Sequence, residues 1–354
     1  MLSPPEPIEL PEQRAVFFPE LVDGRGPPPP PASHSLLDLP DELRRHILAR
    51  VPLADHPTVA LVCKDFCGVI NDPRFLKFRR DERCAERGIM SIARTHEGDL
   101  DIWMAHSGET ARIPGNFGRI TVSTDGGSRL FVSATNYMSN HQIEHVVLAV
   151  DASSRRWRRF ATLPQGQGQH QCLEWHNGRL YVAGGCRSEG STLNFSAFNE
   201  AIGSWEELQP MLHACKQAAS GVIGNEFFIA KNNRLQIYDI AGRTWRLGAA
   251  LPQPCIDSHG VVADGKLFII ANLWSRDLLV YDPRSDTWAE EAPLSTVTNY
   301  DFMVVSTACA LNGRLVVFLA DDTAHERAND GSWSPYAEGI SHTSSFVVES
   351  VILG

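Results

Sequence analysis

The stretch His176-Asn177-Gly178-Arg179-Leu180-Tyr181-Val182-Ala183-Gly184-Gly185 opens on a turn dipeptide, runs through strand-forming residues and ends on two glycines. Adjacent glycines give up packing atoms and cost backbone entropy. Whether this stretch belongs to a repeat decides the fold. Its turn recurs: GGSRLFV, NGRLYV, GNEFFI, DGKLFI and NGRLVV carry Gly127, Gly178, Gly224, Gly265 and Gly313, spaced 51, 46, 41 and 48 residues apart. A second marker follows in the same order. Asp151, Asn199, Asp239 and Asp282 each stand six residues before a tryptophan, namely Trp157, Trp205, Trp245 and Trp288. Trp333 continues the series behind an altered turn, and the tryptophan spacings are 48, 40, 43 and 45.

Two markers repeating in register every 40–50 residues match one four-stranded propeller blade. Each unit reads as an inner strand, a Gly turn, a second strand, a variable loop, a third strand ending near the acid or amide, a turn, and an outer strand at the tryptophan. The glycine pair has small-residue counterparts at Ala134-Thr135, Ala230-Lys231, Ala271-Asn272 and Ala320-Asp321. Five units cover residues 118–339. Residues 89–114 supply outer strands of a further blade, and the C-terminal FVVESVIL supplies an inner strand without a blade. Joining the two ends closes the ring and leaves no sheet edge open. Six blades are expected, with five or seven as alternatives.

The rest of the chain differs in character. Of 354 residues, 43% are hydrophobic and 21% charged, within ordinary globular usage. Residues 1–35 hold 10 of the 22 prolines, which favours polyproline II and predicts a disordered tail. Residues 36–87 have helical periodicity. Pro40 suits a first turn, Asp41 and Glu42 put negative charge there, and Leu43, Ile47, Leu48 and Val51 share one face. A second helix is expected from Pro57-Thr58 through Val62, Phe66 and Ile70, and a third runs toward Gly88. Residues 88–354 then form the propeller.

The string Leu39-Pro40-Asp41-Glu42-Leu43, followed by Ile47-Leu48, Val51-Pro52-Leu53 and Leu61-Val62-Cys63-Lys64, resembles an F-box; Phe66 stands where many F-boxes carry tryptophan. The repeats resemble kelch repeats through Gly184-Gly185, the acid-to-tryptophan spacing, Tyr238 and Tyr281. Together they resemble the F-box/kelch-repeat proteins abundant in plants. That resemblance implies a small all-α F-box module followed by an all-β kelch-type propeller. It also implies a non-catalytic receptor subunit of a Skp-cullin-F-box (SCF) ubiquitin ligase. The F-box would dock a Skp-type adaptor, and through it a cullin-RING ligase, by Leu39, Pro40, Leu43, Ile47, Leu48, Pro52, Val62, Cys63 and Phe66. The propeller would hold a target protein for ubiquitination.

A four-stranded meander alternates direction, so short inner turns share one face and the variable loops share the other. Variable loops on a rigid scaffold are where binding concentrates. The target-binding candidates there are Tyr137, Arg187, Lys231, Asn232, Trp274 and Arg276 from loops between second and third strands. His170, His259 and Tyr300 come from the blade-to-blade loops, beside Lys216, His213 and Asp257.

Other chemistry has little footing. The net charge is −10 and no segment is broadly basic, which argues against nucleic acid. No apolar run is long enough for a membrane span and the N-terminus has no signal pattern, so the expected setting is cytoplasmic or nuclear, with the eight cysteines reduced. No metal-ligand spacing, P-loop or GxSxG occurs, so no cofactor or metal is expected. Ser123–Ser128 matches a sialidase Asp box only in part. Arg155-Arg156-Trp157-Arg158-Arg159 reads as a solvated basic edge. The alternative is a propeller enzyme or small-molecule sensor with a helical cap.

Overall fold

A computed structural model describes residues 36–52, 55–82, 84, 87–104, 110–139, 142–152, 154, 156–187, 190–270, 278–290, 305–319, 323–328, 330–336 and 346–352. The proline-rich stretch 1–35 lies outside them.

After a 3₁₀ turn at Leu36–Asp38 come four helices: α1 (Asp41–Ala49), α2 (His56–Ala60), α3 (Lys64–Ile70) and α4 (Pro73–Asp81). Pro40 precedes α1 and its carbonyl accepts from Arg44 N (3.0 Å). The expected single helix from Pro57 to Ile70 is instead two. The break at residues 61–63 has a local cause: Cys63 is extended and its Sγ accepts from Phe66 N (3.5 Å), so the chain re-enters helix with a new cap. Val59, Phe66, Val69 and Ile70 of the expected stripe still turn inward, while Val62, in the break, is exposed. Leu48, Ala49, Phe66 and Phe75 form the buried core, flanked by Val59, Val69, Ile70 and Phe78. Arg79 lies within it, donating from Nε to the Ala49 carbonyl and from Nη2 to the Cys84 carbonyl, both at 3.0 Å. A guanidinium at the C-terminal carbonyls of α1 satisfies groups that the helix leaves open.

Among the described residues six antiparallel sheets follow, five of four strands and one of five, and they are the blades of a propeller. The first takes its inner strand from the C-terminus: Phe346–Ile352 pairs with Arg87–Arg94, then Leu100–Met104 and Thr110–Ile113. The strand that follows the helical module and the C-terminal strand therefore share one sheet, as expected. The inner strands of the other five are Phe117–Thr124, Gln169–His176, Ala219–Ile223, His259–Ala263 and Val305–Leu311. Each of the six touches the next and the last returns to the first, so the ring is closed. The apolar cores lie between neighbouring sheets, for example Tyr181, Phe195, Phe227, Tyr238 and Trp245 between the third and fourth blades.

The markers have clear roles. Asn177-Gly178, Asp264-Gly265 and Asn312-Gly313 all take positive φ at both positions, the type I′ geometry that suits the strand twist. The acid or amide before each tryptophan caps its turn: Asn199 Oδ1 accepts from Ala201 N, Asp239 Oδ1 from Ala241 and Gly242 N, and Asp282 Oδ1 from Arg284 N, at 2.9–3.0 Å. The tryptophans then tie blade to blade. Trp205, Trp245 and Trp288 donate their indole N–H to the carbonyls of Thr162, Gln209 and Ala249 of the preceding blade, at 2.8–2.9 Å. Trp157 departs from this pattern and is exposed.

The glycine pair needs a correction. Strand register aligns Arg179 with Glu226, because both pair with the acid or amide marker opposite. Gly184-Gly185 thus correspond to Lys231-Asn232, not to Ala230-Lys231, and Leu319, not Ala320, aligns with Gly184. What recurs is backbone conformation at the second position. Gly185 (φ 99°) and Asn232 (φ 54°) each donate their N–H to a cysteine carbonyl of the incoming loop, Cys215 and Cys255, at 2.9 Å. Asparagine tolerates left-handed backbone better than most residues, so it substitutes there for glycine.

Candidate functional site

Two surfaces emerge. In the helical segment large apolar side chains sort into an inner and an outer set. Leu48 and Phe66 are 1% and 7% exposed, whereas Leu43 is 50%, Ile47 39%, Leu61 87% and Val62 67% exposed. Leu43 and Ile47, four apart on α1, share a helix face. Leu61 and Val62 stand out because they occupy the break between α2 and α3. Pro40 and Pro52 are exposed, while Leu39 and Cys63 are half-buried.

The second surface is the variable-loop face of the propeller. Its loops are laced together: Asn232 and Cys255 exchange both backbone hydrogen bonds (2.9 and 2.8 Å), Gly185 N donates to Cys215 O (2.9 Å), and Gln217 N donates to His170 O (2.9 Å). The second-to-third-strand loops and the blade-to-blade loops therefore share one face, as the meander requires. Inside the ring the inner strands enclose a cavity of about 840 Å³. Arg119, His170, Gln217 and Asp257 line it on the loop side, and Asp125 and Asn312 at the inner turns.

Individual candidates fall differently. His170, Gln217 and Asp257 hold equivalent starts of inner strands and all take positive φ (64°, 50° and 51°). Burial, reinforced by the charges of Arg119, Lys216 and Lys231 and opposed by Asp257, holds the His170 imidazole below its ordinary pKa. Lys231 Nζ donates to the Gln217 carbonyl (3.0 Å), and Asn232 is exposed. Tyr137 Oη accepts from Gln169 Nε2 (2.8 Å), so the tyrosine is held across two blades. His259 is not in a loop: it lies in an inner strand, and its Nε2–H donates to the Ala308 carbonyl of the next blade (3.0 Å). Its burial lowers its pKa and its role is to join blades. Arg187 ends its strand, with its side chain outside the described set; Trp274, Arg276 and Tyr300 lie outside the described residues. Sequence reasoning missed Arg119 and Gln217. Arg119 sits at a bulge, where the register shifts between Phe117 and Ile120, and bulges re-aim side chains. No sequence marker announces it.

Two arginines of the basic run, Arg158 and Arg159, face carboxylates. Arg158 pairs with Glu200 (3.5 Å) and Arg159 with Glu144. Deeper in the channel, Glu174 accepts from Ser220 Oγ (2.7 Å), and burial pushes its carboxyl up to about 7 against that hydrogen bond. Among the described residues no group of three or more His, Cys, Asp or Glu side chains is placed to hold a metal. Among them, too, no helix is long and apolar enough to cross a membrane.

Residues 36–78 match the family model of the F-box domain. This segment is an F-box domain. Beyond it, the chain is 25% identical over 305 residues to an F-box/kelch-repeat protein of Arabidopsis thaliana, covering 80% of this chain and 79% of the relative. A second Arabidopsis F-box/kelch-repeat protein is 22% identical over 302 residues, covering 82% and 68%. Kelch-like protein 35 of Mus musculus is 22% identical over 148 residues, covering 39% and 25%. The solved structure of YjhT superposes with a TM-score of 0.53 at 16% identity, covering 66% of this chain and 87% of that one; this likeness concerns the fold alone.

Within the F-box, two of the residues expected at the adaptor surface belong elsewhere. Leu48 and Phe66 pack in the helical core with Phe75 and hold the helices together. The reason is periodicity. Leu48 follows Ile47 directly, about 100° around the helix, so the two cannot both face outward.

Proposed function

We propose that this protein is the substrate receptor of an SCF ubiquitin ligase, acting in the cytosol or nucleus. The F-box docks a Skp-type adaptor and the propeller's loop face holds a target protein. The observation that carries this reading is the outer apolar set of the F-box. A helical module of this size has little core of its own, yet it spends Leu43, Ile47, Leu61 and Val62 on solvent. Exposed apolar side chains gathered in one small module mark a protein interaction surface. Leu39, Pro40, Pro52 and Cys63 belong to the same proposal.

The propeller's part is positional. Nothing in this role requires a bond to be made or broken by this chain. Holding a target beside the ubiquitin-loading machinery raises its effective concentration there. The test is recovery of a purified Skp-type adaptor by the full-length protein and by Leu43→Asp/Ile47→Asp. The substitutions are at solvent-exposed positions, so the fold is retained. Loss of the adaptor is expected; equal recovery by both proteins overturns the reading.

A further inference from the structure

Cationic side chains gather around the loop-side mouth of the channel. Arg119 comes from the bulged inner strand of the second blade, Lys216 from the loop entering the fourth, and Lys231 from that blade's own second strand. Their charges all reach His170 at the start of the third blade's inner strand. Arg234 lies next to this group, its Nη1 3.3 Å from His213 Nδ1. Asp257 opposes them at His170. Arg119 and Lys216 are exposed, and neither has an ion-pair partner among the described residues. Arginines elsewhere on the propeller behave differently: Arg112, Arg129, Arg179, Arg246 and Arg314 are each paired with a carboxylate.

The whole chain carries a charge of −10, so its far field repels an acidic partner. A local cationic mouth over a cavity of about 840 Å³ reverses that sign at one place and steers an acidic group to it. We propose that the loop-side mouth of the channel binds an acidic peptide segment of the target, with Arg119, Lys216 and Lys231 contacting its Asp or Glu carboxylates. This rests on the receptor role above and names the chemistry of the segment received. The arrangement suits an extended peptide because the cations come from two blades, Arg119 from the second and Lys216 and Lys231 from the fourth. Lys231 is already oriented by the Gln217 carbonyl (3.0 Å), so less of its freedom is lost on binding.

The test is fluorescence anisotropy with full-length protein and a labelled octa-glutamate peptide, with octa-lysine and Gly-Ser peptides of equal length as controls. Octa-glutamate is expected to bind, and to weaken as salt rises. Arg119→Glu/Lys216→Glu should weaken it by about tenfold or more, and Arg119→Gln/Lys216→Gln by less. Lys77→Glu on α4 should leave it unchanged. No binding of octa-glutamate, equal binding of the Gly-Ser peptide, or equal losses in Lys77→Glu and the mouth variants would overturn the proposal. Neutral glutamine at two exposed positions keeps the fold, so that variant decides if the reversal perturbs it. The adaptor assay separates the two readings: a mouth variant that loses the peptide yet recovers the adaptor bears on this site alone. Failure of adaptor docking with intact peptide binding removes the ligase role and leaves the site standing.

Discussion

Replacing Gly184 by alanine tests the close approach that the glycine pair permits. Gly184 has φ +67°, and a Cβ built there lies 2.5 Å from the Cys215 carbonyl oxygen and 2.7 Å from its Sγ. The nearer atom is backbone, held by the Cys215–Thr192 and Cys215–Gly185 hydrogen bonds, so it cannot swing aside as a side chain does. Gly178, in the turn at the other end of the same strand, has φ +78° and open space around its Cβ position. Left-handed backbone costs an L residue about 1–2 kcal/mol at either site. Alanine recovers roughly 0.4–1 kcal/mol by restricting the unfolded chain at either site. Only Gly184→Ala adds overlap in a packed interior, which costs about 1–3 kcal/mol. The expected losses are about 2–4 kcal/mol for Gly184→Ala and about 1 kcal/mol for Gly178→Ala. Urea unfolding followed by tryptophan fluorescence reads both, provided the slope of free energy on urea is unchanged. Equal midpoints for the two variants would refute the close-approach argument.

Phe66→Ala should destabilise the F-box by about 3–5 kcal/mol as a core deletion, whereas Ile47→Asp should leave its melting unchanged while abolishing adaptor recovery; calorimetry beside the pull-down separates them. Trp245→Phe keeps the ring in its aromatic cluster but removes the indole bond to Gln209 O, costing about 1 kcal/mol in urea unfolding, with a larger loss pointing to packing instead. Glu174 has a folded pKa raised to about 7 from 4.5, so the folded state binds its proton more tightly. Its contribution to stability is then full below pH 4.5 and is lost as pH rises through about 7. Glu174→Gln should therefore gain stability relative to wild type at pH 8 compared with pH 4; parallel stability profiles for the two proteins would contradict this.

The blade count and the ring closure were legible because they rest on spacing. Turn glycines and capped tryptophans do the same work in each unit, so their period survives although the strands between them diverge. The closing strand was legible for a topological reason: FVVESVIL was apolar and had no partners of its own, while residues 89–114 lacked an inner strand. Helix boundaries were less readable. The stripe from Val59 to Ile70 fits one helix, and only the extended conformation of Cys63, capping Phe66 N, divides it. Reading the glycine pair by similarity of residue type also misaligned it by one position, because alanine next to a variable loop is a weak marker. Hydrogen-bonded register fixed the alignment: Asn232 repeats the positive φ and the donated N–H of Gly185, a likeness of backbone that residue type hides.

The candidate site divides along the same line. Which loops share a face follows from strand alternation alone, and the laced loops bear this out. Which side chains act there does not, because a cation's availability depends on what stands beside it. Arg158 and Arg159 looked prominent in the sequence, yet Glu200 and Glu144 answer them. Arg119 looked ordinary, and from a bulge it lines the channel mouth with no ion-pair partner among the described residues. Pairing of this kind can be set by residues far away in the chain, as the 71-residue separation of Arg129 from Glu200 shows. An excess of charge in the sequence is therefore a poor guide to free charge on the surface. On this propeller two of the arginines that stand out in a run, Arg158 and Arg159, are paired with carboxylates distant in the chain. The exposed cations proposed for a ligand, Arg119 and Lys216, belong to different blades, and both act on His170.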